Sequence, residues 1–85
     1  MWHTYILYSA KINHYYIGYT ENLSTRLENH LAGGSNFTSR ADDWKLVYQE
    51  EYTVKSDAIK REREIKRMKS RRYIETLIAT GGRPD

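Results

Sequence analysis

Tyrosine is the first residue type in this chain that could take part in chemistry. The sequence holds eight Tyr and a single Phe, and five of the eight Tyr fall between Tyr5 and Tyr19. A strand that needs only aromatic bulk can use Phe, whereas a phenol adds a hydroxyl that can donate, accept or transfer a proton. Two interpretations stay open: a half-exposed hairpin whose hydroxyls face water, or hydroxyls that sit beside a phosphate or act as acid–base groups.

An arginine and a histidine share the next predicted element, a helix. Asn22 is a suitable N-cap, and leucines follow at four-residue spacing from Leu23. Helical spacing places Arg26 and His30 one turn apart on the rim of this apolar stripe. Such an Arg can fork onto a phosphate, and the His can shuttle a proton. An Arg that extends to solvent and a hydrogen-bonded rim His explain the same pattern.

A carboxylate is predicted to face inward from the second helix. With Ala58 at the centre of the apolar face, Glu62 falls about 40° away, inside that face, whereas Glu64 falls among the charges outside it. A carboxylate that faces a core or cleft must be paired or must hold a metal, because burying it alone is costly. Glu62 is therefore a candidate ligand for a hard cation such as Mg²⁺ or Mn²⁺. An ion pair with Lys66, or with Arg26 across the fold, is an equally good explanation.

Positive charge is concentrated in the last third of the chain. Residues 1–55 carry a net charge of −1 and residues 56–85 a net charge of +4. The stretch 60–72 alone holds eight basic and two acidic side chains. Such a stripe suits a polyanion, most often nucleic acid, although a solvated helix face has the same composition. The candidate phosphate-binding residues are Arg61, Lys66, Lys69, Arg71 and Arg72.

Three strands are predicted to carry seven of the eight tyrosines. β-branched and aromatic residues predict strands at 3–10, 15–20 and 44–52, and the short segment 11–14 predicts a turn that makes the first two strands an antiparallel hairpin. Gly18 weakens the second strand, which indicates a bulge or a close approach by another group.

Three helices complete the predicted order β-β-α-β-α-α. The first is stopped by Gly33-Gly34, the second begins with Ser56 as its N-cap, and the third begins at Ser70. Residues 35–43 are predicted to form a polar loop. The predicted fold class is α/β (α+β): a three-stranded antiparallel sheet flanked by helices. The apolar side of the second helix is predicted to be Ala58, Ile59, Ile65 and Met68.

Length and composition exclude several classes of protein. Eighty-five residues allow one domain, predicted at 1–80 with a flexible tail at 81–85. The chain has no Cys, which excludes disulfides and thiolate metal sites. No apolar run reaches the roughly 18 residues that span a bilayer. We therefore expect a soluble, monomeric, cytoplasmic protein, associated with the nucleoid if it binds DNA.

The chain resembles a GIY-YIG nuclease domain, of the short, single-domain bacterial type. The resemblance runs from about Thr4 to Ile78 and rests on the order and spacing of short motifs. The motif tyrosines Tyr5 and Tyr16 are eleven positions apart, and the family's arginine follows ten positions later. The first motif keeps only its tyrosine. The matching segments are His3-Thr4-Tyr5, Tyr16-Ile17-Gly18, Arg26 with His30 four residues on, and Ala58-Ile59-Lys60-Arg61-Glu62.

This resemblance implies hydrolysis of phosphodiester bonds with one divalent metal ion. It implies that Glu62 binds the metal, that Tyr16 accepts the proton of the attacking water, and that Arg26 steadies the phosphate. Tyr5 and His30 would orient the phosphate or relay protons. No cofactor beyond the metal is implied, and the expected substrate is DNA, with RNA open, chosen by structure rather than by base sequence. The resemblance also implies that Gly18 keeps the cleft uncrowded.

Two other functions stay open from the sequence. A nucleic-acid-binding module could keep the same fold without turnover, in which case the basic stretch 60–72 would bind phosphates and affinity would fall steeply with salt. A protein-interaction domain could use the same charged helix against an acidic partner, and would show no affinity for DNA at low salt.

Overall fold

The first two strands form an antiparallel hairpin. In the computed structural model, which describes residues 1–31 and 40–81 apart from the side chains of 29–31, β1 spans Trp2–Ser9 and β2 spans His14–Thr20. Their pairing runs without interruption from His3 opposite Thr20 to Ser9 opposite His14. Asn13 in the turn adopts a left-handed backbone with φ of 50°, which Asn tolerates better than most residues.

The third strand completes the predicted sheet. β3 spans Lys45–Tyr52 and pairs antiparallel with β1, so the strand order is β2-β1-β3 and β2 lies at an edge. The register of β1 with β3 shifts between Ile6 and Leu7. The prediction of a three-stranded antiparallel sheet within the order β-β-α-β-α-α is confirmed, and each predicted strand boundary lies within one residue of the observed one.

Two helices begin at the predicted caps. α1 spans Leu23–Leu31, and the Asn22 side chain accepts a hydrogen bond from the Thr25 backbone N–H at 3.1 Å. α3 spans Arg71–Thr80, and the Ser70 side chain accepts one from the Tyr73 backbone N–H. In both helices a short polar side chain satisfies an N–H of the first turn, as an N-cap does.

The second helix departs from prediction at both ends. α2 spans Lys55–Met68, so it begins one residue before Ser56, and the residue at its N-cap is Val54, which makes no side-chain cap hydrogen bond. Docking onto the sheet holds this end instead, because the Thr4 hydroxyl donates to the Ala58 carbonyl at 2.8 Å. The predicted place of Met68 on the apolar side of α2 is wrong, because its side chain is 51% exposed. Met68 is the last residue of the helix, one turn after Ile65, which is buried in the core.

The sheet carries a separate apolar core on each face. Alternation along β1 points Ile6 to one face, where it packs with the buried side chains Ile65 and Ile74 of α2 and α3. Tyr5 and Leu7 point to the other face and pack with Trp44, Tyr16, Leu23 and Leu27. Because α1 covers one face and α2 with α3 the other, side chains from both can approach the edge strand β2.

Several sequence predictions concern residues outside the described ranges. These are the Gly33-Gly34 helix stop, the part of the polar loop at 35–39 and the tail at 82–85. Gly81 ends α3 with a left-handed backbone. No helix among the described residues is both long enough and apolar enough to span a membrane.

Candidate active site

A pocket of about 600 Å³ lies beside the edge strand β2. It takes Tyr16 and Gly18 from β2, Arg26 from α1 and Glu62 from α2. Four of the positions singled out in the sequence, from three different elements, therefore border one open space. Tyr5 joins them from β1, because it lies directly opposite Gly18 in the hairpin and its hydroxyl contacts Arg26.

Gly18 is required by the ring of Tyr5. A Cβ built on Gly18 would lie 2.6 Å from the Tyr5 hydroxyl oxygen and 2.7 Å from Cζ of the same ring. Side-chain carbons do not approach other atoms so closely, so only glycine lets this ring lie across the strand. The close approach predicted at Gly18 is therefore present, and the group that approaches is Tyr5.

Arg26 is held by the first turn of α1 and by Tyr5. The Asn22 cap and a backbone hydrogen bond from Arg26 N–H to the Asn22 carbonyl fix the start of this helix. The Arg26 Nε then donates to the Tyr5 hydroxyl at 3.4 Å. This hydrogen bond is the main reason that the pKa of Arg26 is raised, and Tyr16 adds to the effect. The guanidinium is mostly exposed, so it remains accessible to an anion in the pocket.

Tyr5 is a neutral phenol at physiological pH. Its side chain is fully buried, and this burial raises the pKa of Tyr5 to about 12, although the hydrogen bond with Arg26 acts in the opposite direction. A phenol with such a pKa holds its proton at pH 7. Tyr5 is thus suited to accept the Arg26 hydrogen bond and to position the guanidinium, and it is unsuited to act as a general base.

Tyr16 is the more accessible of the two motif tyrosines. Its ring centroid lies 6.4 Å from that of Tyr5 and 6.4 Å from that of Trp44, which it meets edge-on. The side chain is half-buried against the core on the α1 face and lines the pocket, unlike that of Tyr5. Of the two phenols, Tyr16 is therefore the one that a bound water or phosphate can reach.

Glu62 faces the sheet, as its helical position indicates. Its side chain is 14% exposed, whereas that of Glu64 is 44% exposed and is bound by Arg61 at 2.6 Å. The Lys66 Nζ lies 3.3 Å from a Glu62 carboxylate oxygen, one turn along the helix. The ion pair with Lys66 that the sequence allowed is thus present, and Glu62 also borders the pocket.

The donor set of this pocket fits a hard divalent cation shared with a substrate. Two carboxylates line it, Glu62 and Glu21, and Glu21 was not singled out in the sequence. Among the described side chains no cluster of three His, Cys, Asp or Glu residues could enclose a metal by itself. Mg²⁺ commonly keeps several waters and binds through one or two carboxylates together with substrate phosphates. Glu62 would hold such an ion, and phosphate oxygens would complete its coordination.

The predicted His30 falls at the limit of what the structure describes. Its backbone belongs to α1, one turn beyond Arg26, but its side chain lies outside the described residues. The helix therefore supports the predicted one-turn spacing.

Arg61 lies on the far side of α2 from the other basic candidates. Its side chain is 17% exposed, and its Nε donates to both carboxylate oxygens of Glu50 at 3.0 and 3.2 Å. It also binds Glu64 and the Tyr73 hydroxyl. Arg61 thus joins α2, α3 and β3 within the fold, and the structure does not place it with the other predicted phosphate-binding residues.

The remaining basic candidates lie around the junction of α2 and α3. Lys66, Lys69 and Arg71 line a second pocket of about 290 Å³ with an apolar floor. Arg71 also lies 5.1 Å from the centre of the Tyr15 ring and donates to the Asn13 carbonyl. Arg72 is exposed nearby, at the start of α3. Lys66, Lys69 and Arg71 therefore border one pocket on the side of β2 that carries Tyr15, and Arg72 follows them in the chain.

Sequence reasoning missed two groups of residues. One is Glu50 with its two hydrogen-bond donors, the hydroxyls of Tyr48 and Tyr52. These three residues are two positions apart on β3, and this spacing could have shown that they share one face of the strand. The other is the aromatic pair Trp2 and Tyr19, which lines the same pocket of about 600 Å³ as Arg26 and Glu62.

The fold and this pocket define a small α+β domain of nuclease type. A family model described as the GIY-YIG catalytic domain matches residues 1–74. The chain belongs to the GIY-YIG family. Membership implies that the substrate is a nucleic acid and that catalysis in this family is typically metal-dependent.

The similar proteins carry the name UPF0213, a small group within this family. The chain is 42% identical over 65 residues to a UPF0213 protein of Staphylococcus haemolyticus, covering 75% of this chain and 79% of that one. It is 46% identical over 52 residues to one from Staphylococcus aureus, covering 60% and 63%. The solution NMR structure of a UPF0213 protein from Bacillus halodurans is 31% identical, with a TM-score of 0.61, covering 99% of this chain and 89% of that one.

Proposed function

We propose that this protein hydrolyses phosphodiester bonds in DNA with the help of one divalent metal ion, Mg²⁺ or Mn²⁺, and that DNA structure rather than base sequence selects the substrate. The observation that carries the proposal is the gathering of Tyr16, Arg26 and Glu62 around one pocket, with Tyr5 bound to Arg26. These residues come from four different elements, and they are the positions at which the chain matches the motifs of its family.

Arg26 binds the phosphate that is cut. Its Nε is engaged by Tyr5, which fixes the plane of the guanidinium while the exposed side of the group faces the pocket. A planar guanidinium can donate two parallel hydrogen bonds to phosphate oxygens. The positive charge then stabilises the extra negative charge that develops on these oxygens in the transition state.

Tyr16 removes a proton from the attacking water. The water oxygen forms a new bond to phosphorus, the bond from phosphorus to the leaving oxygen breaks, and the water proton passes to the Tyr16 phenolate. The guanidinium of Arg26 lines the same pocket, so its positive charge lies close to this proton transfer. Solvent supplies the proton that the leaving oxygen takes up.

Glu62 holds the metal, which when bound supplies positive charge to the phosphate and the leaving oxygen. The carboxylate of Glu62 is mostly buried and borders the same pocket as Tyr16 and Arg26, so it would hold such an ion beside the bound phosphate. We assign His30 to phosphate orientation or proton relay on the basis of its helical position alone. Flanking phosphates are contacted by Lys66, Lys69, Arg71 and Arg72. Arg61 does not contact phosphate, because it forms ion pairs with Glu50 and Glu64.

A cleavage panel with matched carboxylate variants tests this proposal. Wild type, Glu62→Gln and Glu64→Gln are incubated with single-stranded, duplex, nicked and branched DNA and with RNA, each with Mg²⁺, Mn²⁺ or EDTA. We expect cutting that requires metal, is lost in Glu62→Gln and persists in Glu64→Gln, because Glu64 lies on the same helix but pairs with Arg61 away from the pocket. Absence of cutting in every wild-type reaction would contradict the proposal.

A binding module without turnover is the second candidate, and the ion pair of Glu62 with Lys66 favours it, since the carboxylate already has a cation partner. A titration of DNA affinity with and without Mg²⁺ separates the two functions. Affinity that ignores Mg²⁺ and is unchanged in Glu62→Gln supports the binding module, whereas affinity that rises with Mg²⁺ only when Glu62 is present supports the nuclease.

A further inference from the structure

Two aromatic rings border the candidate active site without a role in the proposed reaction. Trp2 and Tyr19 line the same pocket as Arg26 and Glu62, and their ring centroids lie 6.4 Å apart with the planes tilted by 42°. The Lys55 ammonium lies 5.3 Å from the centre of the Trp2 ring and also lines the pocket. Two aromatic faces and one cation are therefore grouped at one end of the hairpin.

The position of these rings is not explained by the cores of the protein. Among the described residues, Tyr15, Tyr16 and Tyr73 are half-buried because they pack against one of the two cores. Trp2 and Tyr19 are half-buried as well, yet neither belongs to a core cluster formed by the described residues or packs against one. They pack on each other and face the pocket, so they contribute aromatic surface at the site rather than to the folded interior.

We propose that Trp2 and Tyr19 form a stacking platform for an unpaired base next to the phosphate bound by Arg26, with Lys55 on a neighbouring phosphate. This inference rests on the proposed function and names its substrate class: nucleic acid with at least one unstacked nucleotide at the cutting position, such as a single strand, a flap or a frayed end. A base inside a duplex has both faces covered by its neighbours, so it has no free face to offer these rings.

The chemistry of the pair favours recognition of structure over recognition of sequence. Every base has an aromatic face, so stacking on Trp or Tyr tolerates all four bases. Lys55 is exposed and its contact with Trp2 is a surface cation–π interaction, so its ammonium can move to a phosphate at little cost. Phosphate contacts position a strand without reading its bases.

The intrinsic fluorescence of Trp2 reports stacking directly. The chain has two tryptophans, and Trp44 is 4% exposed within a core, so a bound base can quench only Trp2. We titrate the full chain with oligo(dT) and with a hairpin duplex of equal charge, first in EDTA and then with Ca²⁺, and follow tryptophan emission together with fluorescence anisotropy of a dye-labelled strand. We expect emission to fall with the single strand and to stay unchanged with the duplex.

Variants then measure the contribution of each ring. Trp2→Ala or Tyr19→Ala is expected to weaken binding of the single strand by roughly 5- to 100-fold, the range for loss of one stacked base, and to leave duplex binding unchanged. Tyr8→Ala is the matched control, because Tyr8 is also a half-buried tyrosine of the hairpin but stacks on Tyr15 away from this pocket. Affinity for a single strand falls linearly when log affinity is plotted against log salt concentration, and Lys55→Ala should make this slope shallower by about 0.7.

The outcomes separate this inference from the proposal on which it rests. Binding of both nucleic acids without quenching, or an equal loss for single strand and duplex in the two ring variants, overturns the stacking platform and leaves the nuclease proposal standing. Absence of binding to either nucleic acid, with and without Ca²⁺, overturns both. The quenching measurement uses the wild-type chain, so it decides the question even if a ring variant fails to fold.

Discussion

Replacement of Gly18 by alanine should destabilise the fold and disturb the site through a single contact. The new methyl carbon would lie 2.6 Å from the Tyr5 hydroxyl oxygen, 2.7 Å from Cζ and 3.2 Å from Cε1. Ordinary van der Waals contact begins near 3.4 Å, so the tip of the ring must withdraw by about 1 Å. Tyr5 is fully buried and packs with Leu7 and Trp44, so this withdrawal compresses the core on the α1 face.

The expected cost follows from two opposing contributions. Overpacking of a core destabilises a protein by roughly 1–3 kcal/mol. Replacing Gly by Ala where the backbone permits it stabilises by about 0.4–1 kcal/mol, because the unfolded chain loses conformational freedom. We therefore expect Gly18→Ala to lower the free energy of unfolding by about 1–2 kcal/mol. For a domain of this size each kcal/mol lowers the melting temperature by roughly 4–8 °C.

Thermal and urea unfolding of single and double variants test this contact. Tyr5→Phe removes the hydroxyl oxygen but leaves Cζ in place 2.7 Å away, so it should rescue little of the loss in Gly18→Ala. Tyr5→Leu removes the ring. The double mutant of Tyr5→Leu with Gly18→Ala should therefore lose about 1 kcal/mol or more less unfolding free energy than the two single losses added together. Gly81→Ala is the control, since no atom lies within 4 Å and only its φ of 65° is strained.

The double-mutant cycle also defines the result that would refute this reasoning. Gly18→Ala as stable as wild type, or a loss that Tyr5→Leu leaves unchanged, would show that the ring does not rest on this glycine. The loss in Gly81→Ala, by contrast, should be independent of every change at Tyr5, because it arises from the backbone. Gly18→Ala should further weaken phosphate binding by Arg26, since the hydroxyl that holds its Nε is displaced.

Three further predictions concern charge. Arg26→Lys keeps the charge but loses the fork and the Nε donor to Tyr5, so we expect at least about a tenfold lower cleavage rate with an unchanged melting temperature. Burial raises the pKa of both Tyr5 and Tyr48 to about 12, so the stability that these two protonated phenols contribute should be fully present below about pH 10 and be lost toward pH 12. Urea unfolding across this pH range should therefore show a steeper loss in wild type than in the double variant Tyr5→Phe/Tyr48→Phe, and equal slopes would contradict this. Glu50→Gln leaves the mostly buried Arg61 with Glu64 as its remaining carboxylate partner and should cost about 1–3 kcal/mol in urea unfolding. Although burial acts to raise the pKa of Glu50, hydrogen bonds lower it, so the wild-type advantage over Glu50→Gln should disappear as the pH falls below about 4.

The predictable part of this fold is the part that local rules determine. Asn22 and Ser70 cap their helices as predicted because an N-cap requires only a short polar side chain and the next few backbone N–H groups. The contrast between Glu62 and Glu64 was visible because both lie on one helix, where two residues of separation place side chains on different faces. Ser56 failed because docking of α2 on Thr4, rather than a cap, sets its start.

The unpredicted part depends on elements that are distant in sequence. Arg61 was assigned to phosphate binding because it lies in a basic stretch, but Glu50 on β3 reaches it only once α2 has packed on the sheet. Tyr19 was likewise predicted only as a strand residue and Trp2 was not singled out, since the pocket that they line exists only when α1 and α2 meet at β2. Charge density and strand propensity report local composition, and neither contains these pairings.

The ion pair of Lys66 with Glu62 explains how a single carboxylate can be both paired and available. Lys66 is half-exposed, and its ammonium lies 3.3 Å from the carboxylate, one turn along the helix. A divalent cation together with a phosphate can displace this partner, because the released ammonium is already open to solvent. Lys66 also lines the neighbouring basic pocket, so once released its ammonium lies where a flanking phosphate would bind. The pair therefore compensates the charge of Glu62 in the free protein and opposes metal binding only slightly.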